Sequence, residues 1–118
     1  AIASQLSLNP DYLIFDESTS MLDINGKNDM YSLIKKLKKD IGIICITNNM
    51  DELVNADEVI IIDNKNAFKY NINNILNDTN ILKEHNLDIP FMFKIANKLN
   101  IKNIKDVNEE FILGRIEK

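Results

Sequence analysis

One run constrains this chain more than any other: Tyr12-Leu13-Ile14-Phe15 leads directly into Asp16-Glu17, then through Ser18-Thr19-Ser20 to Met21-Leu22-Asp23. A strand buried in a parallel sheet reads as an unbroken apolar run. In open α/β sheets, ligands gather beyond the carboxyl ends of the strands. Two adjacent carboxylates at such an end suit phosphate chemistry. One can hold Mg²⁺, largely through water, because that ion gives up its hydration shell reluctantly. The other can polarise an attacking water. A strand that merely ends in a solvated acidic turn would carry the same letters, and short motifs of this kind also arise by chance.

Size and charge narrow the alternatives. The chain has 118 residues, the length of about one domain, and its 45% hydrophobic and 27% charged content is that of an ordinary globular protein. A net charge of −4 and a pI near 4.9 argue against a nucleic-acid binder, which needs a cationic surplus to neutralise phosphates. Lys35-Lys36-Leu37-Lys38-Lys39 is a local exception that reads as the solvated face and last turn of a helix, where cations suit the dipole. Cys45 is the sole cysteine, so a disulfide framework and a thiolate zinc site are excluded; its apolar neighbours make it a small buried residue. No apolar stretch approaches the ~20 residues of a membrane span, and no signal peptide is recognisable. The chain reads as soluble and intracellular. It opens at Ala1 without Met, and its only glycines, Gly26, Gly42 and Gly114, cannot form a phosphate loop of the GxxxxGK[ST] type. Either an upstream segment has been cut away or the chain is a split or decayed gene product; truncation is the favoured expectation.

Along the chain, residues 1–8 read as the tail of a helix ended by Asn9-Pro10. Residues 11–15 form a first strand, and Asp23 caps a helix over about 24–39. Gly42 opens a second strand through Thr47, Met50 to Val54 make a short helix, and Val59 to Ile62 form a third strand. Asp63-Asn64-Lys65-Asn66 turns the chain into a more polar hairpin partner over 67–71. Strands alternating with helices predict a parallel sheet with flanking helices. Beyond residue 71 only helices are expected: one capped by Asn71 or Asn73, one by Thr79 through His85, one from Pro90 to about Leu99, and one over 107–116 with Asp106 and Glu109 as a capping box. A soft boundary near residue 78 divides an α/β part, 1–78, from a helical part, 79–118.

The block YLIFDESTSMLD resembles the Walker B strand and D-loop of ABC-type ATPases. The segment ITNNMDELVNADEVIIID is similar to that family's switch region, and ILKEHNLDIPFMFKIANKLN with VNEEFI resembles the C-terminal helical region of energy-coupling factor transporter ATPases, of the first of that system's two paralogous A subunits. The likeness runs almost end to end and starts just after the position of the signature motif. It implies a fold: the C-terminal part of a P-loop nucleotide-binding domain followed by a small helical region. It implies ATP and Mg²⁺ as cofactors, in concert with a missing N-terminal part. It also gives roles. Asp16 would orient Mg²⁺ through water, Glu17 would be the general base or water positioner, and Ser20 and Asp23 would lie in a D-loop that touches the opposite subunit. The plain alternatives are a turn hydroxyl for Ser20 and a helix cap for Asp23.

One residue departs from the pattern. Asn48 stands where the family has its switch histidine; an amide can donate a hydrogen bond but cannot carry a proton or a positive charge. The only histidine, His85, falls in the helical tail and reads as a helix-end residue facing solvent. The resemblance further implies a paralogous ATPase subunit, a transmembrane T component and a substrate-binding S component as partners, no nucleic acid, and a peripheral position on the cytoplasmic face of the membrane. The apolar residues of 76–99 either pack on the α/β part or serve in part as a subunit contact. Two other readings stay open: a non-catalytic interaction module of a degenerate ABC protein, and a different P-loop ATPase such as a DNA-repair ABC protein.

Overall fold

A computed structural model describes residues 2–107 of the chain. The helix expected over 107–116 lies, from residue 108 onward, outside the described residues. The chain divides into two compact units, Ala1–Asn48 and Asn49–Lys118.

The first unit is a strand–helix–strand unit preceded by a short helix. Helix α1 covers Ile2–Leu6 and β1 covers Tyr12–Asp16; α2 covers Ile24–Leu37, and β2 covers Gly42–Ile46. The two strands pair in parallel, from Tyr12 opposite Gly42 to Asp16 opposite Ile46. Parallel neighbours need a crossover, and α2 supplies it. A Cβ at position 42 would run into the Tyr12 ring, so this strand start suits glycine.

Among the described residues the sheet of the first unit is covered on one side only. Leu13 and Phe15 are buried, while Tyr12, Ile14, Ile44 and Ile46 are exposed, Ile14 by 63%. Residues paired in register project to the same face, so Tyr12, Ile14, Ile44 and Ile46 form one open apolar side. The fully buried strand expected from the apolar run is therefore half-buried. Cys45 also departs from expectation: it is exposed although it stands opposite Phe15, because among the described residues β2 is paired with β1 alone.

The second unit opens with a 3₁₀ turn, Met50–Asn55, capped by the Asn49 side chain, which accepts from the Asp51 amide at 3.1 Å. Strand β3, Glu58–Asp63, and β4, Asn66–Asn71, form an antiparallel hairpin paired along all six positions. The third apolar run thus pairs with its immediate neighbour in sequence, the hairpin partner expected over 67–71. A two-residue turn keeps the chain-entropy cost of that pairing small. Asn64 and Lys65 both take left-handed φ, +48° and +63°, the geometry of a primed hairpin turn.

Three helices follow: α3, Ile72–Asn77; α4, Asn80–Glu84; and α5, Phe91–Lys98. Of the two candidate caps for α3, Asn71 is the one used, accepting from the Asn73 amide at 2.9 Å. Thr79 makes no cap bond; its neighbour Asp78 accepts from the Asn80 amide instead, at 3.2 Å. Val59 and Ile61 of the hairpin join Leu53, Ile72, Ile75, Leu76, Leu82, Phe93, Ala96, Ile101 and Val107 in one core. Side-chain oxygens fasten its edges: Asn73 Oδ1 accepts from the Ile104 amide at 2.8 Å, and Asp51 Oδ1 accepts from the Phe91 amide at 3.0 Å.

His85 is not a solvent-facing residue. Its side chain is 9% exposed; Nδ1 lies 3.0 Å from Asp63 Oδ2 and Nε2 lies 3.4 Å from the Tyr70 hydroxyl. The Phe68 ring centre is 4.6 Å away. Asp63, Phe68 and Tyr70 share one face of the hairpin, so the helix-end imidazole is held there by three side chains. No helix among the described residues is long and apolar enough to cross a membrane.

Candidate functional site

Strand β1 carries Asp16 at its last position and Glu17 immediately after. The Glu17 amide donates to the Ile46 carbonyl at 2.8 Å, extending the ladder one step past the end of the strand. Glu17 then turns into left-handed conformation, with φ of +47°. For a side chain with a Cβ that region costs about 1–2 kcal/mol, so the surrounding bonds must hold it there.

They do so from the residues that follow. The Glu17 carbonyl accepts from both the Ser20 amide, at 3.1 Å, and the Ser20 hydroxyl, at 2.9 Å. The Leu22 amide donates to the Thr19 carbonyl at 3.2 Å, and the Thr19 side chain is buried beneath this turn. Asp23 ends it: Oδ1 accepts from the Gly26 amide at 2.7 Å and caps α2. Ser20 and Asp23 therefore both act locally, as a turn hydroxyl and a helix cap.

Asn48 is exposed and lies two residues beyond the end of β2. Because β1 and β2 run parallel, their carboxyl ends lie at the same end of the sheet. Asp16 and Glu17 stand at one of these ends and Asn48 follows the other, with Ser20 and Asp23 on the connection to α2. All five belong to the first unit. Asp16, Glu17, Ser20 and Asp23 are exposed, so their carboxylates and hydroxyl remain open to a ligand from solvent.

The donors at this sheet end are hard oxygens, the type Mg²⁺ prefers. Among the described residues no group of three or more His, Cys, Asp or Glu side chains could by itself hold a metal ion. The arrangement thus fits an ion that keeps several waters and binds through one carboxylate and phosphate oxygens. It does not fit an all-protein cage. Sequence reasoning identified the residue types here but not the left-handed Glu17, for which a non-glycine residue gives no sign. It also missed the packing of His85, a contact made across 22 residues of chain to Asp63.

No family model matches the chain. Comparison with curated proteins does find relatives. The chain is 44% identical over 104 residues to the energy-coupling factor transporter ATP-binding protein EcfA1 of Mesomycoplasma hyopneumoniae strain 7448, covering 86% of this chain and 38% of that protein. It is 39% identical over 122 residues to the corresponding protein, EcfA, of Malacoplasma penetrans, covering 98% of this chain and 42% of that one. Against EcfA1 of Lactobacillus acidophilus the identity is 43% over 108 residues, 89% of this chain and 38% of the relative. The chain therefore spans about two fifths of the length of these relatives. At this level of identity, sustained across nearly all of its own length, the chain is similar to one part of these energy-coupling factor transporter ATP-binding proteins.

Proposed function

We propose that these residues are the Walker B to C-terminal portion of an ATP-hydrolysing subunit that energises uptake of a vitamin or a transition metal. The observation that carries this reading is the acid pair at the carboxyl end of β1, beside the parallel strand that leads to Asn48. Asp16 would hold Mg²⁺ through water, with ATP supplying phosphate oxygens. Glu17 would orient and deprotonate the attacking water, the chief task left to a protein side chain in in-line phosphoryl transfer. Bound Mg²⁺ supplies charge neutralisation for the outer phosphates. Ser20 and Asp23, besides their local bonds, would present the D-loop to an opposing subunit. Residues 1–78 would complete a nucleotide-binding domain and residues 79–118 would form its helical extension. Partners would be a paralogous ATPase, a transmembrane T component and a substrate-binding S component, which together would hold the subunit at the cytoplasmic face of the membrane.

Asn48 shapes the expected kinetics. An amide at the switch position can donate to the γ-phosphate but cannot bring a positive charge to it. This subunit's own site would bind ATP and turn it over slowly, with the paralogue carrying more of the flux. The test is a full-length complex in which Asn48→His is compared with the wild type. Turnover per complex should rise towards that of two working sites, about twofold; unchanged turnover removes the impairment. The 118 residues alone hold no phosphate loop. Calorimetric titration of this chain with Mg·ATP should therefore show no sub-millimolar binding.

The second reading, a non-catalytic module that associates with a partner, draws on the same Asn48. Against it stands the intact Asp16–Glu17 pair. In a full-length complex whose paralogue carries the matching Glu-to-Gln change, Glu17→Gln separates the two: it should abolish the remaining hydrolysis in the first reading and change nothing in the second.

A further inference from the structure

Glu17 is pinned on both sides of its Cα. Its amide donates to the Ile46 carbonyl at 2.8 Å, and its carbonyl accepts from the Ser20 amide at 3.1 Å and from the Ser20 hydroxyl at 2.9 Å. Peptide groups are planar, so the two planes that flank a Cα set the direction of its Cα–Cβ bond. Those three hydrogen bonds therefore aim the Glu17 side chain and leave only its own torsions free. Asp16 is aimed by other means, the parallel ladder in which it stands opposite Ile46. Apart from side-chain torsions, the placement of one carboxylate against the other is thus set by a single backbone conformation, the left-handed φ of +47° at Glu17. A residue with a Cβ stays in that region only while the surrounding bonds outweigh its steric cost. One turn hydrogen bond is of the same order as that cost. The turn itself has a fixed floor, because the Thr19 side chain is buried.

We propose that the Ser20 hydroxyl is a positioning group for Glu17: it holds the left-handed backbone that sets the Glu17 carboxylate against Asp16, and acts on hydrolysis through Glu17 from within the same subunit. The inference rests on the role proposed above for Glu17. It differs from the part that Ser20 would play against an opposing subunit, because both partners of this bond lie in one chain, three residues apart. An alanine at position 20 keeps the amide bond to the Glu17 carbonyl and loses the hydroxyl bond; a threonine keeps both. Loosening the Glu17 backbone misplaces the group that orients the attacking water, which slows the chemical step. It removes no donor to the phosphates, so binding of ATP is spared.

The experiment measures ATP turnover in a full-length complex whose paralogue carries the matching Glu-to-Gln change, so that only this site reports. Ser20→Ala should lower kcat about tenfold and leave KM within about twofold. Ser20→Thr should recover most of that loss. Glu17→Gln runs beside them. If it leaves hydrolysis unchanged, the assignment of Glu17 falls and the clamp falls with it. If it abolishes hydrolysis while Ser20→Ala keeps the wild-type kcat, the clamp alone falls. A raised KM at unchanged kcat, or equal losses for the alanine and threonine variants, also overturns it. A second measurement needs neither nucleotide nor partner. Hydrogen exchange of the Glu17 amide in this chain should quicken about fivefold in Ser20→Ala, the worth of one turn hydrogen bond, and keep the wild-type rate in Ser20→Thr. Unchanged exchange in Ser20→Ala overturns the proposal even where the variant complex fails to assemble.

Discussion

Glu17 shows how a single backbone angle shapes the end of a strand. Its left-handed φ lets the chain leave β1 abruptly, so that two consecutive carboxylates stand at the sheet end rather than on opposite faces of a continuing strand. Glycine tolerates this region at no steric cost. Glu17→Gly should therefore exceed Glu17→Ala in stability by about 1 kcal/mol in urea unfolding; equal midpoints would mean that the angle is not held in solution. Asp23 is a simpler case. Removing its carboxylate orphans the Gly26 amide, and Asp23→Ala should cost about 1 kcal/mol by the same measurement. The cap could be read from the sequence, since Asp followed by a periodic apolar pattern is a helix start. Cys45 could not be read. Its burial depends on how many strands lie beside β2, and an apolar string cannot report its own neighbours.

Among the elements, the β3–β4 hairpin was the most legible. Asp63-Asn64-Lys65-Asn66 between β-branched and polar runs is local turn chemistry, and the observed register closes on those residues. The partner of Val59 to Ile62 was legible only through that turn, since such a run by itself reads alike whether its partner is near in sequence or far. His85 joins this hairpin to the end of α4 through Asp63 and Tyr70. His85→Ala should cost about 1–3 kcal/mol, because it leaves partly buried polar groups without a partner. Thermal unfolding of this variant beside Asp63→Ala and the double mutant should show non-additive losses, the mark of a shared contact. Leu82, fully buried against α3 and the hairpin residues of the core, is the packing control; Leu82→Ala should cost about 2–5 kcal/mol.

At the scale of the molecule, the chain folds as two compact units and matches roughly two fifths of the length of its relatives. The α/β class was legible from alternation of strand and helix patterns; the division after Asn48 was not, since no change of composition marks it. The open face made by Tyr12, Ile14, Ile44 and Ile46 is the kind of contiguous apolar surface that promotes association. Sedimentation velocity of the chain should show concentration-dependent self-association, and Ile14→Lys should reduce it, because the substitution puts a charge in the middle of that face. Concentration-independent monomers for both proteins would show that the face is too small to drive pairing.

The exposure of Cys45 offers a practical opening. A sole thiol, accessible to solvent and one residue before the last position of β2, is a ready-made attachment point for a maleimide dye or a spin label. No other cysteine in these 118 residues has to be removed first. A probe there sits three positions from Asn48, so its emission or mobility would test the nucleotide binding proposed for this sheet end in a reassembled complex.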